Sequence, residues 1–141
     1  MKVLVLNGVN LNMTGKRGAL YGDETLDQIN ARLEKFAKKS GVEVEFYQSN
    51  IEGEIVDRIQ KGGFDALIIN AGAYSHYSIA IADALETVTV KKIEVHITNI
   101  LAREEFRQKS VTARSCDGCV SGFGADGYFV ALAYLAGLCN G

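Results

Sequence analysis

Proline is absent from all 141 residues, where average usage would supply about seven. Loops without it are less rigid. The three cysteines form no even disulfide framework, which fits a reducing cytosol. Cys116 and Cys119 make one C-x-x-C, but zinc sites take about four ligands and no second pair exists, so neither metal nor redox use is expected of it. The longest apolar run, Tyr128 to Cys139, is too short to span a bilayer, and the Met1–Leu6 run is too short for a signal-peptide core. The net charge of -2 argues against a nucleic-acid partner. A chain of 48% apolar and 23% charged residues is ordinary globular composition, and its length suits one domain, 1–141.

What is present is a strand–helix alternation. Met1–Leu6 is continuously apolar, as in a strand covered on both faces. Asn7–Gly22 is a long loop with no periodicity, and loops of that length in compact domains are usually functional. Thr25 to Gln28 is a capping box opening a helix with Leu26, Ile29, Leu33 and Phe36 on one stripe, and Gly41 ends it. Further strands are expected at Val42–Tyr47, Ala66–Ile69, Ile93–Ile97 and Gly118–Phe123. Helices are expected after a second capping box at Ser49–Glu52, from Ser75 or His76 to Glu86, over Arg103–Gln108, and from Ala125 to Leu138. This order implies an α/β flavodoxin-like fold: a five-stranded parallel sheet, order 2-1-3-4-5, with helices on both faces. The nearly all-apolar last helix suggests one face on the sheet and another against a second subunit.

The carboxyl rim of such a sheet is where ligands bind. It would receive Asn7, Asn10 and Asn12 from the first strand, Asn70 and His76 from the third, and His96, Thr98 and Asn99 from the fourth. Glu94 and His96 are two apart on a strand, so they share a face and the carboxylate can back the imidazole. Arg103 and Arg107 follow one helical turn apart, and the first loop offers Lys16, Arg17 and Tyr21 as a lid. That rim suits a small polyhydroxy or carboxylate ligand. Rival readings are weaker. GFGADG (Gly122–Gly127) has no following strand for a dinucleotide site, an acidic phospho-acceptor cluster is missing, and so is G-x-S-x-G.

NGVNLN, the basic lid ending in YG, NAGAYSHYS, EVHITN with REEFR, and GFGADGY together resemble type II 3-dehydroquinate dehydratases over nearly the whole chain. The resemblance implies a cofactor-free, metal-free cytoplasmic enzyme, a homo-oligomer assembled as a dodecamer of trimers. It would convert 3-dehydroquinate to 3-dehydroshikimate in aromatic biosynthesis or quinate breakdown. By position, Tyr21 resembles the base for the C2 proton and His96 the acid for the C1 hydroxyl. Glu94 orients His96, Asn10 holds a water at the enolate, and Arg17 is the lid cation. Asn70, His76 and Arg107 resemble substrate contacts, and the Ile97 and Thr98 amides would grip the carboxylate. Asp83 resembles a residue reaching a neighbouring subunit's site, and it is expected on one helix face with His76. The alternatives are a flavodoxin-like binding module that keeps the rim without catalysis, or dehydration of a related hydroxy-ketone.

A phenol ordinarily titrates near 10, so ionising it at neutral pH needs roughly 4 kcal/mol. One cation about 4 Å away supplies that much. The lid arginine is therefore the expected source. Two departures bear on it. Val9 replaces the family's proline in N-G-P-N-L-N, and Arg17 and Tyr21 are four positions apart where the family usually has five. A looser lid and a smaller share for Arg17 are the expected consequences.

Overall fold

The computed structural model describes residues 1–137. Five parallel strands, β1 (Lys2–Asn7), β2 (Glu43–Gln48), β3 (Ala66–Asn70), β4 (Lys91–His96) and β5 (Gly118–Ser121), lie in the order β2-β1-β3-β4-β5. Four α-helices cover them: α1 (Leu26–Lys39), α2 (Glu52–Lys61), α3 (Ile79–Glu86) and α4 (Asp126–Leu135). Among the described residues, no helix is long and apolar enough to cross a membrane.

The alternation of β1 divides the core. Val3 and Val5 pack with Ile29, Leu33, Val95 and Leu132 on the α1/α4 face. Leu4 and Leu6 pack with Ile55, Ile59, Ile81 and Leu85 on the α2/α3 face. Strands buried on both sides need no polar alternation, which explains the unbroken run at the start of the chain. The Thr25 hydroxyl accepts from the Gln28 amide and the Gln28 side chain answers on Thr25 N, so the first capping box forms as expected.

Four expectations change. The Ser49–Glu52 box does not form: the N-cap of α2 is Ile51, and Ser49 instead accepts from Ile51 N at 3.0 Å while donating to Glu54. Helix α3 starts later than Ser75, because Gly72–His76 is a 3-10 turn and Ser78 caps the helix by accepting from Ile81 N. Arg103–Gln108 is not a helix; the β4–β5 connection is built from 3-10 turns at Ile100–Ala102, Glu105–Arg107 and Ala113–Ser115. Ten residues of α4 replace the longer helix expected, and its proposed end at Leu138 lies outside the described residues.

The loss of proline at Val9 does not leave the first turn slack. Gly8 lies so near the β3 exit that a Cβ there would fall 2.3 Å from the Ala71 carbonyl oxygen, and one on Gly72 would fall 2.5 Å from that of Val9. Only glycine permits that backbone approach. Gly8 N donates to Asn70 O at 2.7 Å, locking the exits of β1 and β3 together. Two glycines of GFGADG also serve packing: a Cβ on Gly127 would sit 3.2 Å from Val95 Cγ1, and one on Gly122 2.9 Å from Asn99 Cβ.

Candidate active site

The rim formed by the carboxyl ends of β1, β3 and β4 borders an open cleft. Asn10, Arg17, Tyr21, Asn70, His76, His96, Ile97, Thr98 and Arg107 all line it, although they come from four separate stretches of chain. Glu94 lies directly behind His96, whereas Asp83 and the anticipated rim and lid residues Asn12, Lys16 and Asn99 lie outside the cleft and its backing.

Asn10 follows the β1 turn with φ 68°, the sole non-glycine in the left-handed region among the described residues. Asparagine tolerates that conformation better than most residues. Its amide N donates to Asn50 Oδ1 at 2.9 Å, and its side chain does not cap the next 3-10 turn, leaving the carboxamide for the cleft. Asn70 is held from behind by Tyr128, a buried phenol at the start of α4. Asn70 Nδ2 donates to Tyr128 Oη at 2.9 Å, and Tyr128 Oη donates to Asn7 Oδ1 at 2.5 Å. Burial pushes the Tyr128 phenol well up, so it remains a neutral donor.

His96 Nε2 donates to Glu94 Oε2 at 2.7 Å, as their shared strand face requires. Glu94 is fully buried. Ser110 donates to the same oxygen at 2.7 Å, and Thr112 donates to Oε1. Burial alone would push the Glu94 carboxyl up, but the His96 hydrogen bond and charge, with those two hydroxyls, hold it below the usual carboxylate range. It is therefore an anion at neutral pH, placed to balance an imidazolium. His76 stacks near His96, ring centroids 6.3 Å apart, and its Nδ1 donates to the Lys109 carbonyl at 2.7 Å.

The cation on the tyrosine is not the one the sequence suggested. Arg103 Nη1 donates to Tyr21 Oη at 2.6 Å and also reaches Thr98 Oγ1 at 3.4 Å. Arg17 instead lies flat on the Tyr21 ring, its Cζ 3.8 Å from the centroid. The first arginine of the β4–β5 connection supplies the contact to the phenol oxygen. Its signal was the arginine pair of REEFR, of which only Arg107 had been assigned to the ligand. Arg107 Nε meets Glu104 at 2.8 Å. Ser110 and Thr112 had no local signal at all.

Asp83 is exposed on α3, whereas His76 sits on the preceding 3-10 turn, so the two do not share a helix face.

A sequence model of the family "Dehydroquinase class II" matches residues 1–136. The chain belongs to that family. It is 60% identical over 136 residues to the 3-dehydroquinate dehydratase of Thermotoga neapolitana, covering 96% of this chain and 94% of that protein. It is 53% identical to that of Aliarcobacter butzleri, covering 99% and 87%. Among solved structures it resembles the type II dehydroquinase from Butyrivibrio crossotus, with a TM-score of 0.94 and 48% identity, covering 96% of this chain and 97% of the other. The five-stranded α/β architecture is thus that of a solved family member.

Proposed function

We propose that this family member removes water from 3-dehydroquinate to give 3-dehydroshikimate through an enolate, with Tyr21 as base and His96 as acid. The observation that carries the assignment is the pairing of each group with its own counter-charge in one cleft: Arg103 on the Tyr21 oxygen and Glu94 on His96. The Tyr21 phenolate takes the C2 proton beside the ketone. The electron pair moves onto the ketone oxygen, where Asn10 holds a stabilising water. The enolate then collapses and expels the C1 hydroxyl, which takes a proton from the His96 imidazolium and departs as water. Passing the Tyr21 proton back to His96 resets the site, so no cofactor enters the cycle. Asn70, His76, Arg107 and the Ile97 and Thr98 amides position the ring and its carboxylate, and Arg17 closes the lid over it.

The test is the absorbance of the enone formed from 3-dehydroquinate by the purified protein. Turnover is expected, with Tyr21→Phe and His96→Ala each at least about 10²-fold slower while folded, the scale of a lost acid or base. No turnover anywhere between about pH 6 and 10 would favour a binding module. Covalent inactivation by borohydride with substrate would reveal a lysine imine and overturn the mechanism.

The same reading makes the protein a cytoplasmic homo-oligomer, a dodecamer of trimers, in the shikimate pathway or quinate breakdown. It is supported by exposed apolar side chains on α4, Val130 at 47% and Tyr134 at 44%, and by the exposed Asp83, which is free to approach a neighbouring cleft. A monomer by light scattering at micromolar concentration would refute that assembly.

A further inference from the structure

Strand β5 brings a third donor to the back of the acid pair. The register sets Cys119 opposite Glu94 and Ser121 opposite His96, so the thiol shares their sheet face. Cys119 Sγ is 3.9 Å from Glu94 Oε2, and one ligand atom from each of Glu94, His96 and Cys119 lies within 4.8 Å of the other two. We propose that Glu94, His96 and Cys119 form an inhibitory site for a thiophilic divalent cation, zinc above all.

The donor set suits zinc: a ring nitrogen, a carboxylate oxygen and a thiolate, at bond lengths of about 2.0–2.3 Å. Tetrahedral bonds of that length put donors roughly 3.3–3.6 Å apart. The 2.7 Å His96–Glu94 contact must open by about 0.6–0.9 Å and the 3.9 Å thiol contact must close by about 0.3–0.6 Å. A water, or the Ser110 hydroxyl already on Glu94, completes four-coordination. Thr112 and Ser110 supply the outer hydrogen bonds that fix a ligating carboxylate. A carboxylate and a thiolate balance the dication, so no net charge is left beside the fully buried Glu94. These partners come across the sheet and not from a second C-x-x-C.

On binding, the thiol proton leaves to solvent. The Nε2 proton of His96 moves to a bare Nδ1, or is released if the ring was already an imidazolium. Because binding displaces the thiol proton, it strengthens as pH rises. Cys119 is exposed on the edge strand, so the ion enters from behind His96 and not through the cleft. Its consequence for turnover rests on His96 being the acid: a ring ligated through Nε2 keeps only a neutral Nδ1–H and can no longer be an imidazolium, so it is a far weaker proton donor. Inhibition is therefore expected in kcat, with KM unchanged.

Cobalt(II) serves as the visible probe and zinc as its competitor, both added to the full-length protein. One cobalt per chain, with a near-ultraviolet thiolate-to-cobalt charge-transfer band that zinc abolishes, is expected. Cys119→Val should lose the band and raise the zinc needed for half-inhibition at least about tenfold, while its metal-free turnover stays within about twofold. Cys116→Ala and Cys139→Ala should keep both. A band or an inhibition that survives Cys119→Val, or no cobalt binding to the wild type, overturns the site. Because the band needs no turnover, it decides the metal site even if the dehydration reading fails.

Discussion

Tyr21 and His96 face one cleft, yet the chain holds them by different means. His96 ends a central strand, and its counter-ion is buried and receives hydrogen bonds from Ser110 and Thr112. Tyr21 sits on a loop whose local backbone bonds are single turns, Tyr21 N to Gly18 O and Gly22 N to Ala19 O, each 3.2 Å. Its neighbour Leu20 is 61% exposed. His96, the proposed acid, is positioned by folding itself, whereas Tyr21, the proposed base, is positioned by docking onto the folded body through Arg103. On the proposed mechanism the lid delivers the reactive oxygen, and the rigid side supplies the charge that activates it. A shortened lid then matters less than the loss of one residue from it suggests, since the cation beside the oxygen does not belong to the lid.

The largest expected effect separates the two arginines. Arg103→Ala removes the donor on the Tyr21 oxygen, and kcat should fall by about 10² or more, as when a preorganised charge contact is lost. Arg17→Ala removes a guanidinium stacked on the ring face, a contact worth about 1–2 kcal/mol at most, so about a tenfold loss is expected. Steady-state kinetics of both variants at neutral pH decide it. A thousandfold loss from Arg17→Ala beside a mild one from Arg103→Ala would reverse the comparison and return the cation to the lid.

Much of this was readable from local pattern. Two-sided burial of β1, the Thr25 box and the i, i+2 pairing of Glu94 with His96 depend on neighbours a few residues apart, and they formed as expected. The connection after β4 was misread because its arginine spacing imitates a helix. Asn99 instead accepts from Leu101 N and starts a 3-10 turn. The hydroxyls on Glu94 and the arginine on Tyr21 escaped local reading: they lie 16, 18 and 82 residues from their partners, and only the packed sheet brings them together.

A smaller effect is expected from lid backbone. Gly22 has φ 80° and ψ 171°, a region open almost only to glycine, and nothing lies within 4 Å of a Cβ built there. Gly22→Ala therefore introduces strain of about 1–3 kcal/mol with no clash. In a loop that docks, that strain disfavours the docked state: kcat/KM should drop about tenfold while the thermal midpoint stays put. Gly8→Ala is the control on the rigid side, where the new Cβ meets the Ala71 carbonyl and the midpoint itself should fall. Equal loss of midpoint in both variants would show that the lid is as much a part of the folded body as β1.

The smallest effect is a stability difference that depends on pH. The Glu94 carboxyl is held below its ordinary value, so the unfolded chain takes up its proton at a higher pH than the folded one does. The contribution is fully present above the unfolded carboxyl value, and it is lost as pH falls through the depressed folded value. Thr112→Val deletes the only hydroxyl donor on Oε1 among the described residues, leaving Ser110 and His96 on Oε2. At neutral pH the variant should unfold about 1–2 kcal/mol more easily, the usual cost of a lost hydrogen bond to a buried charge. The gap should narrow on acidification below about pH 4, where the carboxylate is being neutralised in both proteins. Urea unfolding between about pH 3 and 7 reads both quantities. A gap that stays constant with pH would mean that Thr112 stabilises the protein by packing alone, and that the buried anion behind His96 does not depend on it.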